Sequence, residues 1–361
     1  MSAPVLKQLR VSNFTIFDEL DLDLVPGVNV FLGQNATGKT HLLKLLYATC
    51  RAVATARDLD RSKTGFATHL SKRLVRNFQL DSVGRLASRV QGHKHSTVQV
   101  IAGGEISFEF STRQRELDLR RWQIDSDRWP DPVYLPTKEV LSMFHGLVSA
   151  MAEDRLDLEE LYADLALKLG ARAGAGNRAD WQRRLMEPLE RMLKATVEYD
   201  EKAQRFYIRQ RGVGRLEVGL AAEGYRKIGM LLQLVANRSL AGNSVLFWDE
   251  PEVNINPSFA EPLAELLAEF ARQGTQVVIA THDYFILKYL GLVAEQAGGE
   301  IPVRYFSLYR EREGDKFVQA AQADNLYDLA RNPVMDEFER LYAQEARRFY
   351  SAPAAAAGRK G

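Results

Sequence analysis

Cysteine is nearly absent. The 361 residues hold one, Cys50, which excludes a disulfide framework and suits a reducing compartment, where a lone thiol is a packing residue. Net charge is nearly absent too: 48 Lys and Arg against 47 Asp and Glu leave +1, so any nucleic-acid surface has to be a local patch. No apolar run approaches the roughly 18 residues of a membrane span, and the opening Met1 to Lys7 lacks the apolar stretch of a signal peptide. These absences predict a cytoplasmic protein with no membrane partner. What is present, 46% apolar and 26% charged residues, describes a globular chain of about two domains at ~150 residues each.

Strand signals come first. Leu9 to Phe17 is β-rich, Leu20 to Leu24 alternates strictly, and Pro26-Gly27 turns the chain into an apolar strand, Val28 to Leu32. A helix is predicted from His41 to Arg57. Residues 51–99 carry ten basic residues against three acidic ones, +7 in 49 residues, which leaves about −6 for the remainder. Further strands are predicted at 98–101, 105–110, 117–124 and 132–136. Two amphipathic helices are predicted between Glu153 and Val197, parted by the Gly/Ala-rich break 170–177. A strand pair at 206–209 and 216–218, a helix over 223–240, a strand at 245–248, a helix after Pro257 and a strand at 276–280 follow. A strand pair near 303–309 and 316–320 and a helix from Val334 to about Tyr350 close the pattern, and the low-complexity tail 351–361 is predicted to be disordered.

Three segments carry chemistry. Gly33-Gln34-Asn35-Ala36-Thr37-Gly38-Lys39-Thr40 has the spacing of a phosphate-binding loop between a strand and a helix. Its glycines let backbone N–H groups curl around phosphate oxygens, and the helix dipole favours the anion. Lys39 would neutralise the β- and γ-phosphates and Thr40 would ligate Mg²⁺. Val245 to Trp248 runs into Asp249-Glu250-Pro251-Glu252, the pattern of a buried parallel strand delivering acids to its C-terminal edge. Asp249 would hold Mg²⁺ and Glu250 would act as general base on the attacking water. Val277 to Ala280 leads into Thr281-His282-Asp283, where His282 is placed to sense a γ-phosphate.

The set resembles the ATPase heads of the ABC superfamily in the branch of SMC-like heads, RecF and the overcoming-lysogenization-defect (OLD) ATPases. Leu9-x-Val-x-Asn13-Phe14-x-x-Phe17, Asn35 in the loop, and Asn254 to Pro257 with Phe259, similar to a D-loop, belong to the same likeness. The resemblance implies an α/β ABC-ATPase head with a parallel phosphate-loop sheet, an antiparallel β subdomain and a short helical insertion. It implies ATP and Mg²⁺ as ligands, with Gly33 to His41 on the nucleotide and with Lys39, Glu250 and His282 catalytic. It further implies a homodimer in which a signature helix caps the partner's ATP. The matching place is Leu220 to Lys227, with Glu223 and Gly224 as contacts; Ala222 stands where such heads usually have Ser. A metal-sensing Gln is expected after Val133 to Leu135, but Pro136-Thr137-Lys138-Glu139 stands there, so that segment is expected beside the nucleotide with no ligand assigned.

The units expected are 1–57 (β lobe, phosphate loop, first helix), 58–130 (basic insertion and β subdomain), 131–205 (helical insertion), 206–310 (signature and acid-strand core), 311–350 (last strand and helix) and the tail. Among the relatives, the Asp-Glu-Pro-Glu form, the Pro-Thr-Lys-Glu segment and the Glu-Gly signature look most like OLD-type anti-phage ATPases. With 79 residues after His282, no built-in TOPRIM nuclease is expected, and a separate nuclease or toxin would be the effector. Residues 51–99 are read either as a solvated insertion or as a surface for DNA or RNA phosphates. Two other functions stay open: a RecF-like DNA-binding ATPase, and a nucleotide-gated scaffold with little turnover.

Overall fold

The computed structural model describes residues 4–56, 62–89, 95–153, 158–172, 178–210 and 212–351. In chain order the elements are β1 Gln8–Phe14, β2 Phe17–Asp23, β3 Val28–Gly33, α1 Lys39–Thr55, α2 Lys63–Asn77, β4 His95–Ile101, β5 Glu105–Ser111, β6 Asp118–Gln123 and β7 Asp131–Leu135. The middle of the chain adds α3 Phe144–Ala152, α4 Glu160–Leu169, α5 Asp180–Leu193, β8 Ala195–Asp200, β9 Arg205–Gln210 and β10 Gly214–Glu217. The last third supplies α6 Glu223–Ala236, β11 Ser244–Asp249, α7 Ala260–Arg272, β12 Gln276–Thr281, α8 Tyr284–Gln296, β13 Val303–Tyr309, β14 Gln319–Ala323 and α9 Pro333–Ser351.

A six-stranded sheet in the order β14-β13-β3-β12-β11-β7 divides the molecule; its strands are parallel except for β14. Every residue of β3, β11 and β12 is buried, as expected of strands covered on both faces. Alternation along these strands feeds two cores. Val30, Leu32, Leu246, Trp248, Val277 and Ile279 face one side, packed by α5, α6, α7 and α8. Phe31, Val245, Phe247, Val278 and Ala280 face the other, under α1, α2 and the antiparallel sheet β2-β1-β4-β5-β6. A third, three-stranded sheet β10-β9-β8 leads into α6. Among the described residues no helix is long and apolar enough to cross a membrane.

The structure departs from the sequence reading in the middle of the chain. The two helices expected between Glu153 and Val197, parted by the 170–177 break, are α4 and α5, but the end of that segment turns into β8, paired antiparallel with β9. Thr196, Val197 and Tyr199 carry the β-branched and aromatic signal for that strand, but Lys194 in the left-handed conformation makes the break that periodicity alone does not show. The helix expected over 223–240 stops at Ala236, where the Asn237 amide donates to the Lys168 carbonyl at 2.7 Å. The strand expected at 316–320 is shifted to 319–323. The tail beyond Ser351 and part of the 170–177 break lie outside the described residues.

Within the basic stretch 51–99, Arg51 is half-buried and Arg73 buried, whereas Lys63, Lys72, Arg76, Arg85 and Arg89 are exposed. Arg73 and Arg51 meet the buried Asp164 of α4 at 2.6 and 3.1 Å, and Arg76 meets Glu160 at 3.3 Å. Arg57, Arg61 and Lys94 lie outside the described residues. The insertion helix α4 is thus held to α1 and α2 by charge as well as by Leu161, whose side chain is fully buried.

Candidate nucleotide site

The site lies at the C-terminal ends of β3, β11 and β12, neighbours in the sheet, because parallel strands present their ends and following loops on one edge. After β3 the loop Gly33 to Gly38 curls tightly: Ala36 and Gly38 take positive φ of 60° and 83°, and the Thr37 hydroxyl donates to the Gln34 carbonyl at 2.8 Å. At Gly38 a Cβ would lie 2.5 Å from the Phe17 ring, so both the backbone turn and the close approach of β2 require glycine. The N-terminus of α1 carries no side-chain cap, which leaves its first N–H groups available to an anion.

Lys39 is buried, and its ammonium donates to the carbonyls of Gly33 (2.8 Å) and Gln34 (3.0 Å). Burial lowers its pKa, while Glu250, Asp249 and Glu252 oppose that shift. The Thr40 hydroxyl donates to Asp249 Oδ2 at 2.8 Å, joining residues 209 apart in sequence. Burial raises the pKa of Asp249, against the hydrogen bond from Thr40. Its other oxygen, Oδ1, is buried without a partner. Glu250 follows in a left-handed conformation, φ 49°, a strained backbone for a non-glycine residue, with its N–H held by the Ala280 carbonyl at 2.8 Å. His282 Nδ1 stands 3.4 Å from Glu250 Oε1 and 3.6 Å from Glu252 Oε1. Lys39, Thr40, Asp249, Glu250 and His282 therefore share one neighbourhood.

Other expected contacts lie around this cluster. His41 turns its Nδ1 to Thr15 Oγ1 at 3.2 Å, near the Phe78 ring; burial first, then Lys44, lowers its pKa. Glu223 and Gly224 open α6 as expected, and Gly224 packs on the 252–255 loop of its own chain: a Cβ there would lie 2.8 Å from the Asn254 carbonyl oxygen. Glu139, in the segment without an assigned ligand, is buried and pairs with Arg226 of α6 at 2.8 Å.

Three contributors escaped the sequence reading, and a fourth, Lys227, entered it only as the end of the signature stretch. Tyr134 of β7, fully buried, donates its hydroxyl to Asp249 Oδ2 at 3.3 Å, and burial raises its pKa well above the usual phenol range. Arg310, just past β13, donates to the Ala36 carbonyl of the loop at 3.0 Å. Lys44, one turn beyond Thr40, pairs with Glu159 at 2.6 Å. Lys227 is fully buried and donates to the Val253 carbonyl at 2.7 Å. Arg310 and Lys44 show no local motif; Tyr134 carries a weak signal as the one hydroxyl-bearing residue of β7.

The residues fit the ligands that the motifs imply. A hydroxyl and a carboxylate with one unpartnered oxygen are hard donors of the kind Mg²⁺ takes, the remaining positions being water and phosphate oxygens. The uncapped helix start and the Lys39 ammonium suit a polyphosphate.

A family described as AAA domain, putative AbiEii toxin, Type IV TA system matches residues 28–288, which include every residue of this cluster. The chain belongs to that family. Among curated proteins, the DNA replication and repair protein RecF of Lactococcus lactis subsp. cremoris (strain MG1363) is 34% identical over 92 residues, 23% of this chain and 26% of that protein. RecF of Streptococcus uberis (strain ATCC BAA-854 / 0140J) is 30% identical over 146 residues, 36% of this chain and 40% of its own length. The chain thus spans a minority of the length of these curated relatives. Among solved structures, an Smc head bound to the C-terminal winged-helix domain of ScpA has a TM-score of 0.51 at 10% identity, covering 89% of this chain and 98% of that one. An Smc head with an extended coiled coil, bound to the C-terminal domain of ScpA from Pyrococcus furiosus, has a TM-score of 0.52 at 9% identity, covering 94% and 100%. At such identities the likeness is one of fold: this member of the AAA-domain family has the mixed α/β architecture of an Smc head.

Proposed function

We propose that the chain is an ATP-binding and ATP-hydrolysing head that closes head to tail on a second copy over two ATP–Mg²⁺ and thereby gates a separate effector. The observation that carries the reading is the 2.8 Å contact from Thr40 to Asp249, which joins the phosphate loop to the acid strand and leaves a second carboxylate oxygen unpartnered. When bound, Mg²⁺ supplies charge neutralisation to the β- and γ-phosphates. Thr40 and Asp249 would hold it, directly or through water, and Lys39 would leave the loop carbonyls for phosphate oxygens. Glu250 would take the proton of the attacking water as the oxygen bonds to the γ-phosphorus and the bond to the ADP oxygen breaks. His282, beside Glu250, would donate a hydrogen bond to the γ-phosphate.

Lys39→Ala should abolish ATP binding in a fluorescent-nucleotide titration; retained affinity removes the loop assignment. Glu250→Gln should hold ATP without turnover and accumulate dimers in light scattering. Equal mass with and without ATP–Mg²⁺ would mean that closure is not ATP-driven. An OLD-like role in anti-phage defence, without a nuclease of its own, is supported by the Asp249-Glu250-Pro-Glu252 form and by the toxin–antitoxin description of the family. A cytoplasmic location accompanies that role. The 34% identity with RecF over 92 residues favours a second reading, a DNA-binding repair ATPase. Strong stimulation of turnover by DNA would select it, whereas indifference to DNA favours partner gating. The uncapped Ala222 at the start of α6 supports a third, a scaffold of low turnover, which a negligible kcat with tight ATP binding would select.

A further inference from the structure

Glu252 has no assigned role, yet its carboxylate is among the most constrained groups near the site. Its side chain is 13% exposed. One oxygen, Oε1, accepts both the Thr281 hydroxyl at 2.8 Å and the His282 backbone N–H at 3.1 Å, at the end of β12. The other, Oε2, is buried without a partner. Burying a carboxylate is unfavourable unless hydrogen bonds offset the lost hydration, and burial indeed raises the pKa of Glu252. The two bonds it makes end on the hydroxyl before the histidine and on the histidine's own main chain.

The loop that carries Glu252 is held at its next residue as well. Lys227, fully buried on α6, donates to the Val253 carbonyl at 2.7 Å, and the Val253 N–H donates to the Glu250 carbonyl at 3.2 Å. The His282 side chain, in the turn between β12 and α8, is 43% exposed, with Nδ1 3.4 Å from Glu250 Oε1 and 3.6 Å from Glu252 Oε1. The bond from its backbone N–H to Glu252 holds the main chain from which the ring reaches Glu250.

We infer that Glu252 is a positioning residue that pins the main chain of Thr281 and His282, so that the imidazole stands beside Glu250, with Lys227 fixing the same loop to α6. The inference rests on the hydrolytic reading above for its kinetic consequence, but not for its geometry. Glutamine at 252 keeps an acceptor oxygen for both donors, and alanine removes it. In Glu252→Ala, kcat should fall about 10- to 100-fold, since misplacement of a catalytic group by about 1 Å has costs of that order. The ATP dissociation constant should stay within about twofold, because the phosphate loop is untouched. Hydrogen exchange at the His282 amide, measured without nucleotide, should accelerate about tenfold or more. Glu252→Gln should restore exchange protection and most of kcat. Thr281→Val, nearly isosteric at a fully buried position, removes one of the two bonds and should give an intermediate loss.

Wild-type exchange at His282 in Glu252→Ala, or a loss of ATP affinity in parallel with kcat, would overturn the inference. Failure of Glu252→Gln to restore both readouts would overturn it too. Absence of ATP hydrolysis by the unaltered chain would instead remove the hydrolytic reading, and the exchange measurement would still decide what Glu252 holds.

Discussion

Asp164 offers the sharpest test of what the basic segment does. Its carboxylate, 7% exposed, accepts from Arg73 at 2.6 Å, Arg51 at 3.1 Å and the Tyr47 hydroxyl at 2.8 Å. Replacing Asp164 with Ala leaves two guanidinium groups and a phenol facing each other without the anion. Each hydrogen bond to a charged group contributes about 1.5–3 kcal/mol, so two of them set an upper range of roughly 3–6. Arg73 keeps Glu160 at 3.5 Å, which recovers part of that. A loss of about 3–5 kcal/mol is expected, the usual result of removing one partner of a buried ion pair. With an unfolding entropy of about 2.1 cal/mol/K per residue, that corresponds to a drop in Tm of roughly 4–7 °C. Calorimetry of Asp164→Ala against Arg76→Ala makes the comparison. Arg76 is 66% exposed in its pair with Glu160, and its loss should stay within about 0.5 kcal/mol. If Asp164→Ala shifts Tm by less than about 1 °C, the packing account of Arg51 and Arg73 is wrong and both become free for phosphate contacts.

His69, pushed down to about 4 by burial and by Arg73, Lys72 and Arg51, is neutral in the folded chain. A His whose folded pKa lies below its unfolded value contributes stability above pH ~6.5 that is lost as pH falls toward 4. For this half-exposed group about 1 kcal/mol remains after screening, so His69→Gln should flatten the acid limb of a Tm-against-pH curve by that amount. Asp249→Asn keeps an acceptor for Thr40 and Tyr134 while removing a buried charge. It should raise Tm without nucleotide by about 1 kcal/mol equivalent and weaken Mg²⁺-dependent ATP binding; a lower Tm would contradict the burial account. Gly224→Ala drives a Cβ to 2.8 Å from the Asn254 oxygen and should cost about 1–3 kcal/mol in urea unfolding, unless the 252–255 loop shifts freely.

The catalytic candidates were legible because their chemistry is local. Gly33 to Thr40 needs its glycines, lysine and hydroxyl at adjoining positions, and the acids at 249 and 250 and the histidine at 282 each end an apolar strand that announces itself. Their convergence was an expectation that the strand order β3-β12-β11 carries out in space. The contacts of Tyr134, Arg310 and Lys227 were not legible, since each acts through a partner far away in the chain: 115 residues for Tyr134 and Asp249, 274 for Arg310 and Ala36, 26 for Lys227 and Val253. The surplus charge of 51–99 was visible, but its destination was not. Composition cannot distinguish an arginine turned to solvent from one turned to Asp164.

By itself the sequence determined which strands are buried on both faces and which residue types stand at their ends, because alternation, apolar runs and turn chemistry act over a few residues. Tertiary structure alone decided which side chains meet. Burial of Asp249 against Tyr134, of Glu252 against Thr281 and of Lys227 against Val253 follows from how the sheet edge and α6 pack. A buried polar group takes whatever donor or acceptor the fold brings within about 3 Å, however far apart the two lie in the chain.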